Sequence, residues 1–247
     1  MLLLDFGNSA VKGQRWVDGE LRQAFTCRFQ TGWQARLAAC LADTGAEQCY
    51  FSSAQGARVE CEITRMLEGF DRFSNLVRLV ATKTCCGVTN GYPEPASLGV
   101  DRWLSLLGTA GLVQQDAIIV DVGSAITVDL LRADGQHLGG AILPGFNTSI
   151  EQFKRIMRNA DFDHPEIIHT NDPGCFTEAC INIDYHTTDT GTVERLVDRW
   201  SGRLAADAVL IVAGGGGGYL HKHLDRENRL VPDLVFKGMR RQLENQQ

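Results

Sequence analysis

The sequence has no run of basic residues, no apolar stretch long enough to cross a bilayer, no C-x-x-C pair and no Gly-Lys-Ser/Thr phosphate loop. Each absence excludes a class. Without clustered Lys and Arg, and with a net charge of −6, nucleic acid is not an expected partner. A membrane partner is not expected either, because a spanning helix needs a much longer apolar run. The eight cysteines (27, 40, 49, 61, 85, 86, 175, 180) have no His beside them at metal spacing, so a structural zinc site is not expected. Cys85 and Cys86 are adjacent, and neighbours seldom bridge because the geometry strains the peptide. Free thiols, buried or half-buried, are the expectation. The apolar start has no basic residue ahead of it and is broken by Asp5, which reads as a strand and not as a signal peptide. The cytoplasm is the expected location.

What is present is ample material for a core. The 247 residues suit one large or two modest domains, and 44% hydrophobic with 22% charged residues is the composition of a soluble globular protein. Residues 1–12, MLLLDFGNSAVK, organise the rest. Three leucines run into Asp5, then Gly7, Asn8 and Ser9, a buried strand meeting a tight turn. Gly7 permits close backbone approach, and the turn's N–H groups suit an anion.

Residues 118–129, IIVDVGSAITVD, repeat the pattern: an apolar run, Asp121, one residue, Gly123, then Ser124. The interval from Asp5 to Asp121, 116 residues, recurs between the two Asp-Gly pairs at 18–19 and 134–135. Asp-Gly between strand-like runs is a strong hairpin signal. Each half therefore reads strand, Asp-x-Gly turn, strand, Asp-Gly turn, strand. Two such halves facing each other would place Asp5 and Asp121 on opposite walls of one cleft.

Between these landmarks the chain alternates. Residues 33–43 and 59–69 have helical periodicity, and 49–51 and 76–80 read as short strands, a plain α/β scaffold. Residues 86–103, CGVTNGYPEPASLGVDRW, read as a loop, with helix following from Arg102 to about Val113. Asp101 then stands at the N-cap of that helix. A domain boundary falls at 114–117, dividing the chain into 1–115 and 116–247. Thr127 and Asp129 share one face of a strand, and Asp129 is either chemical or simply solvated. Residues 149–157 read as helix and 166–172 as an irregular stretch. Residues 207–212 are a buried strand that opens into five glycines at 214–218, either a linker or a place of close approach to a ligand.

Paired Asp-x-Gly hairpins of this kind resemble the actin, sugar-kinase and heat-shock-chaperone superfamily. Within it, DFGNSAVK (5–12), NGY (90–92), LGVDRW (98–103), DVGSAITVD (121–129), GGAILPG (139–145) and the glycine run resemble a type III pantothenate kinase over nearly the whole chain. The resemblance implies an α/β fold of two ribonuclease H-like (actin-like ATPase) domains with an intervening cleft. It implies ATP-dependent phosphorylation of pantothenate, the first step of coenzyme A biosynthesis, by a homodimer. Asp5, Gly7, Asn8, Ser9, Lys12, Gly123, Ser124, Gly214 and Gly215 would meet ATP. Asp5 would hold Mg²⁺ through water, and Asp121 a K⁺ or NH₄⁺ ion.

By the same resemblance Tyr92, Gly99, Val100, Asp101, Arg102 and Thr177 would bind pantothenate, with Asp101 as general base. Asp101 as a plain cap and Thr177 as a plain helix start are the structural alternatives. Arg102 could pair a substrate carboxylate through two parallel bonds, which Lys could not reproduce. Ser9 and Ser124 stand where the family often has Thr, and both keep the hydroxyl. The stretch 180–186, CINIDYH, departs from the family's small-residue pattern and bears on the pantothenate pocket and the dimer contact. A phosphohydrolase of the same superfamily, acting on polyphosphate or a nucleotide, and a non-catalytic regulatory relative are the alternative functions.

Overall fold

Leu2, Leu3 and Leu4 are all wholly buried. The structure is a computed structural model that describes residues 1–156 and 173–245; within its helices the side chains at 147, 153, 154, 177, 178 and 181–189 are outside the description. The chain divides into two compact units, Met1–Leu112 with Asp134–Gln136 and Leu234–Gln247, and Val113–Ala133 with His137–Asp233.

In the first unit β1 (Leu2–Phe6), β2 (Ala10–Val17) and β3 (Glu20–Arg28) form an antiparallel meander. The Asp18-Gly19 hairpin has positive φ at both residues (50° and 79°), as a two-residue primed turn requires. After α1 (Trp33–Thr44), β4 (Gln48–Ser53) lies parallel to β1. After α2 (Ala57–Glu68), β5 (Asn75–Arg78) lies parallel to β4. The sheet order is β3-β2-β1-β4-β5. Leu2, Leu4 and Phe6 share one face with Leu37, Leu41, Phe51, Ile63 and Leu67, so α1 and α2 cover that face. A small hairpin, β6 (Thr84–Cys85) and β7 (Val88–Thr89), precedes a 3₁₀ turn (Pro95–Ser97) and α3 (Val100–Ala110).

The second unit repeats this plan. β8 (Ala117–Val122), β9 (Ala125–Leu131) and β10 (His137–Pro144) form the meander. α4 (Phe146–Ile156) and α5 (Thr177–Ser201) follow, then β11 (Val209–Ala213), α6 (Gly217–His223) and β12 (Arg229–Leu230). The order β10-β9-β8-β11-β12 matches the first sheet strand for strand, with the fourth and fifth strands again parallel. The expected two-fold repeat of an α/β half is therefore the observed architecture. No helix among the described residues is long and apolar enough to cross a membrane.

Several boundaries differ from the sequence reading. Helix α3 starts at Val100 with Gly99 as its N-cap, two residues earlier than expected, because Val100 is buried and fits the core face. The 86–103 segment is not all loop, since Val88–Thr89 pairs as a strand. The Asp134-Gly135 pair connects β9 to β10 as Asp18-Gly19 connects β2 to β3, but the turn is longer, five residues between paired Leu131 and His137 in place of two. The irregular stretch expected at 166–172, and Met157 at the end of the α4 prediction, lie outside the described residues. Three cysteines, 61, 175 and 180, are exposed where buried or half-buried thiols were expected.

The largest difference concerns the chain's last helix, α7 (Leu234–Glu244), which belongs to the first unit instead of extending the second to 247. It packs on α3 through two glycines. A Cβ on Gly238 would overlap the Leu104 carbonyl, and one on Gly108 would lie 2.5 Å from the Leu234 carbonyl oxygen. With both neighbours backbone, neither can give way. Gly238→Ala should therefore lower stability in a urea melt by roughly 1–3 kcal/mol, the usual cost of overpacking, whereas any ordinary exposed helical glycine would gain from the change.

Candidate active site

β1 is flanked by β2 and β4, so Asp5 is fixed by ladders on both sides, opposite Lys12 and beside Ser52. The Ser52 hydroxyl donates to Asp5 Oδ1 at 2.9 Å. Burial pushes the Asp5 carboxyl up from an ordinary 3.8 to about 6; the Ser52 hydrogen bond and the Lys12 charge pull the other way, and the nearby Asp101 carboxylate adds to the rise. Lys12 and Asp101 are thus each within electrostatic reach of Asp5. The turn that follows is held from within: Gly7 N–H donates to the Ala10 carbonyl, and the Gln55 side-chain amide donates to the Gly7 carbonyl at 2.7 Å. Asn8 and Ser9 are exposed at its tip.

Asp101 is not the N-cap of α3 but its second residue, and its Oδ1 accepts from the Arg102 backbone N–H at 2.8 Å. It still satisfies an orphan helix donor, but from two positions further in. Gly99 makes room for it: a Cβ there would come within 2.7 Å of Asp101 Oδ1. Arg102 is 5% exposed and its Nη1 donates to the Tyr92 hydroxyl at 2.8 Å, the guanidinium carbon lying 5.6 Å from the Tyr92 ring centre. Val100 turns its side chain into the core, which leaves only its backbone for any ligand.

The loop carrying Tyr92 hangs on Asn90, which is wholly buried. Its side-chain amide donates to the Thr82 and Pro95 carbonyls, and its Oδ1 accepts from the Tyr92 N–H. Asn90 stands in the NGY stretch that carries the family resemblance, though no role is read for it there. Ser52 and Gln55 hold the site by side-chain bonds of no fixed sequence spacing, so no motif marks them.

In the second unit Asp121 is the next-to-last residue of β8 as Asp5 is of β1, and Gly123 N–H donates to the Ala125 carbonyl. This turn is one residue shorter than the first: Val122 pairs Ile126, whereas Phe6 pairs Val11. Ser124 contributes its carbonyl, which accepts from Gly145 N–H and from the Thr148 hydroxyl at 2.6 Å. The glycine run is neither linker nor open loop throughout. Gly214 (φ +83°) sits on the turn, since a Cβ there would lie 2.5 Å from Asp121 Oδ1; Gly216 N–H donates to the Val122 carbonyl. The last two glycines already belong to α6. Gly215 has nothing within 4 Å of a would-be Cβ, so a side chain there would meet open space.

Asp129 is not solvated: at 3% exposure its Oδ1 lies 2.9 Å from His137 Nε2, itself 1% exposed. Thr177 opens α5, with its side chain outside the described ones, as are those at 181–186.

A family model described as type III pantothenate kinase matches residues 1–199. The chain belongs to that family. A relative from Halorhodospira halophila, named type III pantothenate kinase, is 35% identical across 96% of this chain and 95% of its own length. Among solved structures, a Campylobacter jejuni protein named for the Baf family of transcriptional activators superposes with a TM-score of 0.59 at 20% identity, covering 100% of this chain and 98% of that one. MreB5 of Spiroplasma citri bound to ADP gives 0.52 at 10% identity, covering 97% and 94%. These structural likenesses establish the fold, that of the actin-like ATPases. The family match spans both Asp-x-Gly turns, the Tyr92–Arg102 loop and Thr177, and stops before the glycine run.

The raised Asp5 sets a sign. A carboxyl held above its unfolded value makes ionisation costly to the fold: the contribution of Asp5 is most favourable below pH 4 and is lost as pH rises through about 6. The cost above that range is up to about 3 kcal/mol. Asp5→Asn removes the charge and keeps an acceptor for Ser52. At pH 8 it should melt several degrees above the parent, with the gap closing near pH 4; a lower melting point at pH 8 would mean that Asp5 supports the fold as an anion.

Proposed function

We propose that this chain phosphorylates the primary hydroxyl of pantothenate with ATP, giving 4'-phosphopantothenate, the first committed product toward coenzyme A. Family membership supports the reaction. The observation that carries the site assignment is the grouping in the first unit of Asp5, Lys12 and Asp101, with Arg102 next in sequence to Asp101 and bonded to Tyr92.

Phosphoryl transfer asks for positioning and charge neutralisation more than for covalent chemistry. In this reading the first unit holds one phosphate turn (Gly7, Asn8, Ser9, Lys12) and the substrate loop (Tyr92, Gly99, Val100, Asp101, Arg102); Thr177, in the second unit, is assigned to pantothenate on family grounds alone. The second holds the other phosphate turn (Gly123, Ser124) and the adenosine loop (Gly214, Gly215). Exposed turn amides bind phosphate oxygens. Lys12 offsets phosphate charge, and Arg102 orients the pantothenate carboxylate. Asp101 accepts the hydroxyl proton as the oxygen attacks phosphorus.

The donor sets fit two cations. Asp5 carries a carboxyl whose ionisation burial and Asp101 both oppose, an anionic spot that a cation would relieve. No group of three or more His, Cys, Asp or Glu ligands occurs among the described residues, which matches Mg²⁺ held by one or two carboxylates plus nucleotide phosphates and water. Bound there, Mg²⁺ supplies charge neutralisation of the nucleotide phosphates. Asp121 and the Val122 carbonyl both lie against Gly214, and together would offer oxygen donors of the kind that K⁺ or NH₄⁺ takes. A cytoplasmic homodimer completes the reading on family grounds.

Purified protein with ATP and Mg²⁺ should form a phosphorylated product, seen by mass, only when pantothenate is added. Release of phosphate from ATP alone at the same rate would point to a hydrolase instead. The reaction should need K⁺ or NH₄⁺, and equal turnover in Na⁺ at matched ionic strength would remove Asp121 from its ion role.

Asp101→Asn separates chemistry from capping. Asn still accepts from the Arg102 amide, so its melting point should stay within the range of an ordinary surface change. Loss of the base should cut turnover by about 10²–10⁴-fold. A near-normal rate would return Asp101 to a purely structural role.

A further inference from the structure

We propose that Cys85 and Cys86 form a chelating site for a trivalent organoarsenical, a thiophilic centre that takes two sulfurs at once. The site is independent of the kinase reading and stands on the β6–β7 hairpin.

Three observations converge there. Cys85 pairs Val88, so Cys86 and Gly87 are the two turn residues, with φ of +52° and +80°. That primed turn favours Asn, Asp or Gly at its first central position; Cys is a poor choice for the backbone. Only two non-glycine residues among those described have positive φ, and the other, Asp18, is of the favoured kind. Strain of this sort at an unusual residue type motivates a functional reading.

Second, the two sulfurs are already together, 3.4 Å apart and half-buried, so a ligand can reach them. Third, the tip is pinned. Cys86 Sγ donates to the Arg241 carbonyl at 3.2 Å, and the Arg241 guanidinium donates back to the Cys86 carbonyl at 3.2 Å. The Asn245 side-chain amide lies 4.0 Å from Cys85 Sγ. The pair is thus preorganised on α7 rather than brought together by the ligand.

The separation selects the chemistry. A disulfide needs sulfurs about 2.04 Å apart with a torsion that adjacent residues reach only with strain. Structural zinc needs four ligands, and no cluster of three or more ligating residues occurs among the described residues. An arsenic atom bearing one carbon substituent needs two sulfurs only. Its arsenic–sulfur bonds are longer than a sulfur–sulfur bond and meet near a right angle, which spans sulfurs at the observed distance.

The step is a condensation. Phenylarsine oxide, C₆H₅–As=O, reacts with both thiols; two As–S bonds form, two S–H bonds and the As=O bond break, and oxygen leaves as water with both protons. Nothing is oxidised or reduced. Burial, together with the hydrogen bond and charge of Cys86, pushes the Cys85 thiol up to about 11. The Cys85 thiol therefore carries its proton at neutral pH, ready for the departing oxygen.

The test is intact-mass spectrometry of the folded full chain after exposure to phenylarsine oxide. One phenylarsenic per chain, with loss of one water, should survive a large excess of 2-mercaptoethanol and be removed by 2,3-dimercaptopropanol. Cys85→Ser and Cys86→Asn should each lose that monothiol-resistant adduct. Cys86→Asn installs a residue that the turn prefers, and its melting curve reports that the fold is kept. The Cys175→Ser/Cys180→Ser double variant, which removes the other closely spaced pair, should keep the adduct. Persistence of the resistant adduct in Cys85→Ser or Cys86→Asn, its loss in the double variant, or its absence from the parent would each overturn the assignment.

Discussion

The strand β1 places a carboxylate where water would ordinarily not allow one. Leu2, Leu3 and Leu4 are buried on both faces of a central strand, and the ladders to β2 and β4 leave Asp5 no freedom of register. A slip of one residue would turn every leucine to the wrong face. The hydrophobic run therefore forces the acid into a desolvated position, and the fold bears the cost of its ionisation. Lys12 and Ser52 offset part of that cost, but the carboxyl still titrates well above its ordinary range. A residue that destabilises its own fold, set beside a second carboxylate, is what the proposed cation at Asp5 would relieve.

The second unit meets the same constraint with different means. Asp121 again stands next to last in a buried central strand, now paired to β9 and β11. Here the glycine run supplies the enclosure, with Gly214 pressed against Asp121 and Gly216 bonded to the Val122 carbonyl. The glycines thus serve the turn first, and any ligand approaches a surface already shaped by backbone on backbone. That use was invisible from the run itself, because a glycine string looks the same whether the neighbour is a nucleotide or the chain's own strand.

Legibility followed the range of the forces involved. The leucine run, the two Asp-x-Gly turns and the helical periods at 33–43 and 59–69 are local signals, and the sheets and helices they predict are present with ends moved by one or two residues. The repeat was readable because two similar sheets need two similar strand–turn–strand sequences. What stayed hidden depends on contacts distant in sequence. Nothing in residues 234–244 announces that Gly238 fits against Leu104, so α7 was credited to the wrong unit. The buried Asp129–His137 pair joins neighbouring strands across a bulge, which alternation alone does not reveal. Asp101 was placed two positions short of its place in the helix because Gly99, with no side-chain cap, starts the helix instead.

That last displacement matters for chemistry. A carboxylate at the cap position is committed to amides of the second and third helical residues, with its plane set by the helix. At the second helical position Asp101 instead bonds the amide just after it, and the missing Gly99 side chain leaves its carboxylate a place to lie. Such a group is oriented yet not sealed. In a loose phosphoryl-transfer transition state little charge builds on the attacking oxygen, so the base needs correct placement more than high basicity. Under the proposal that Asp101 is that base, an oriented carboxylate on the first turn of a packed helix meets the requirement, and burial of Trp103, Leu104, Leu106 and Leu107 along the same helix is what keeps it there.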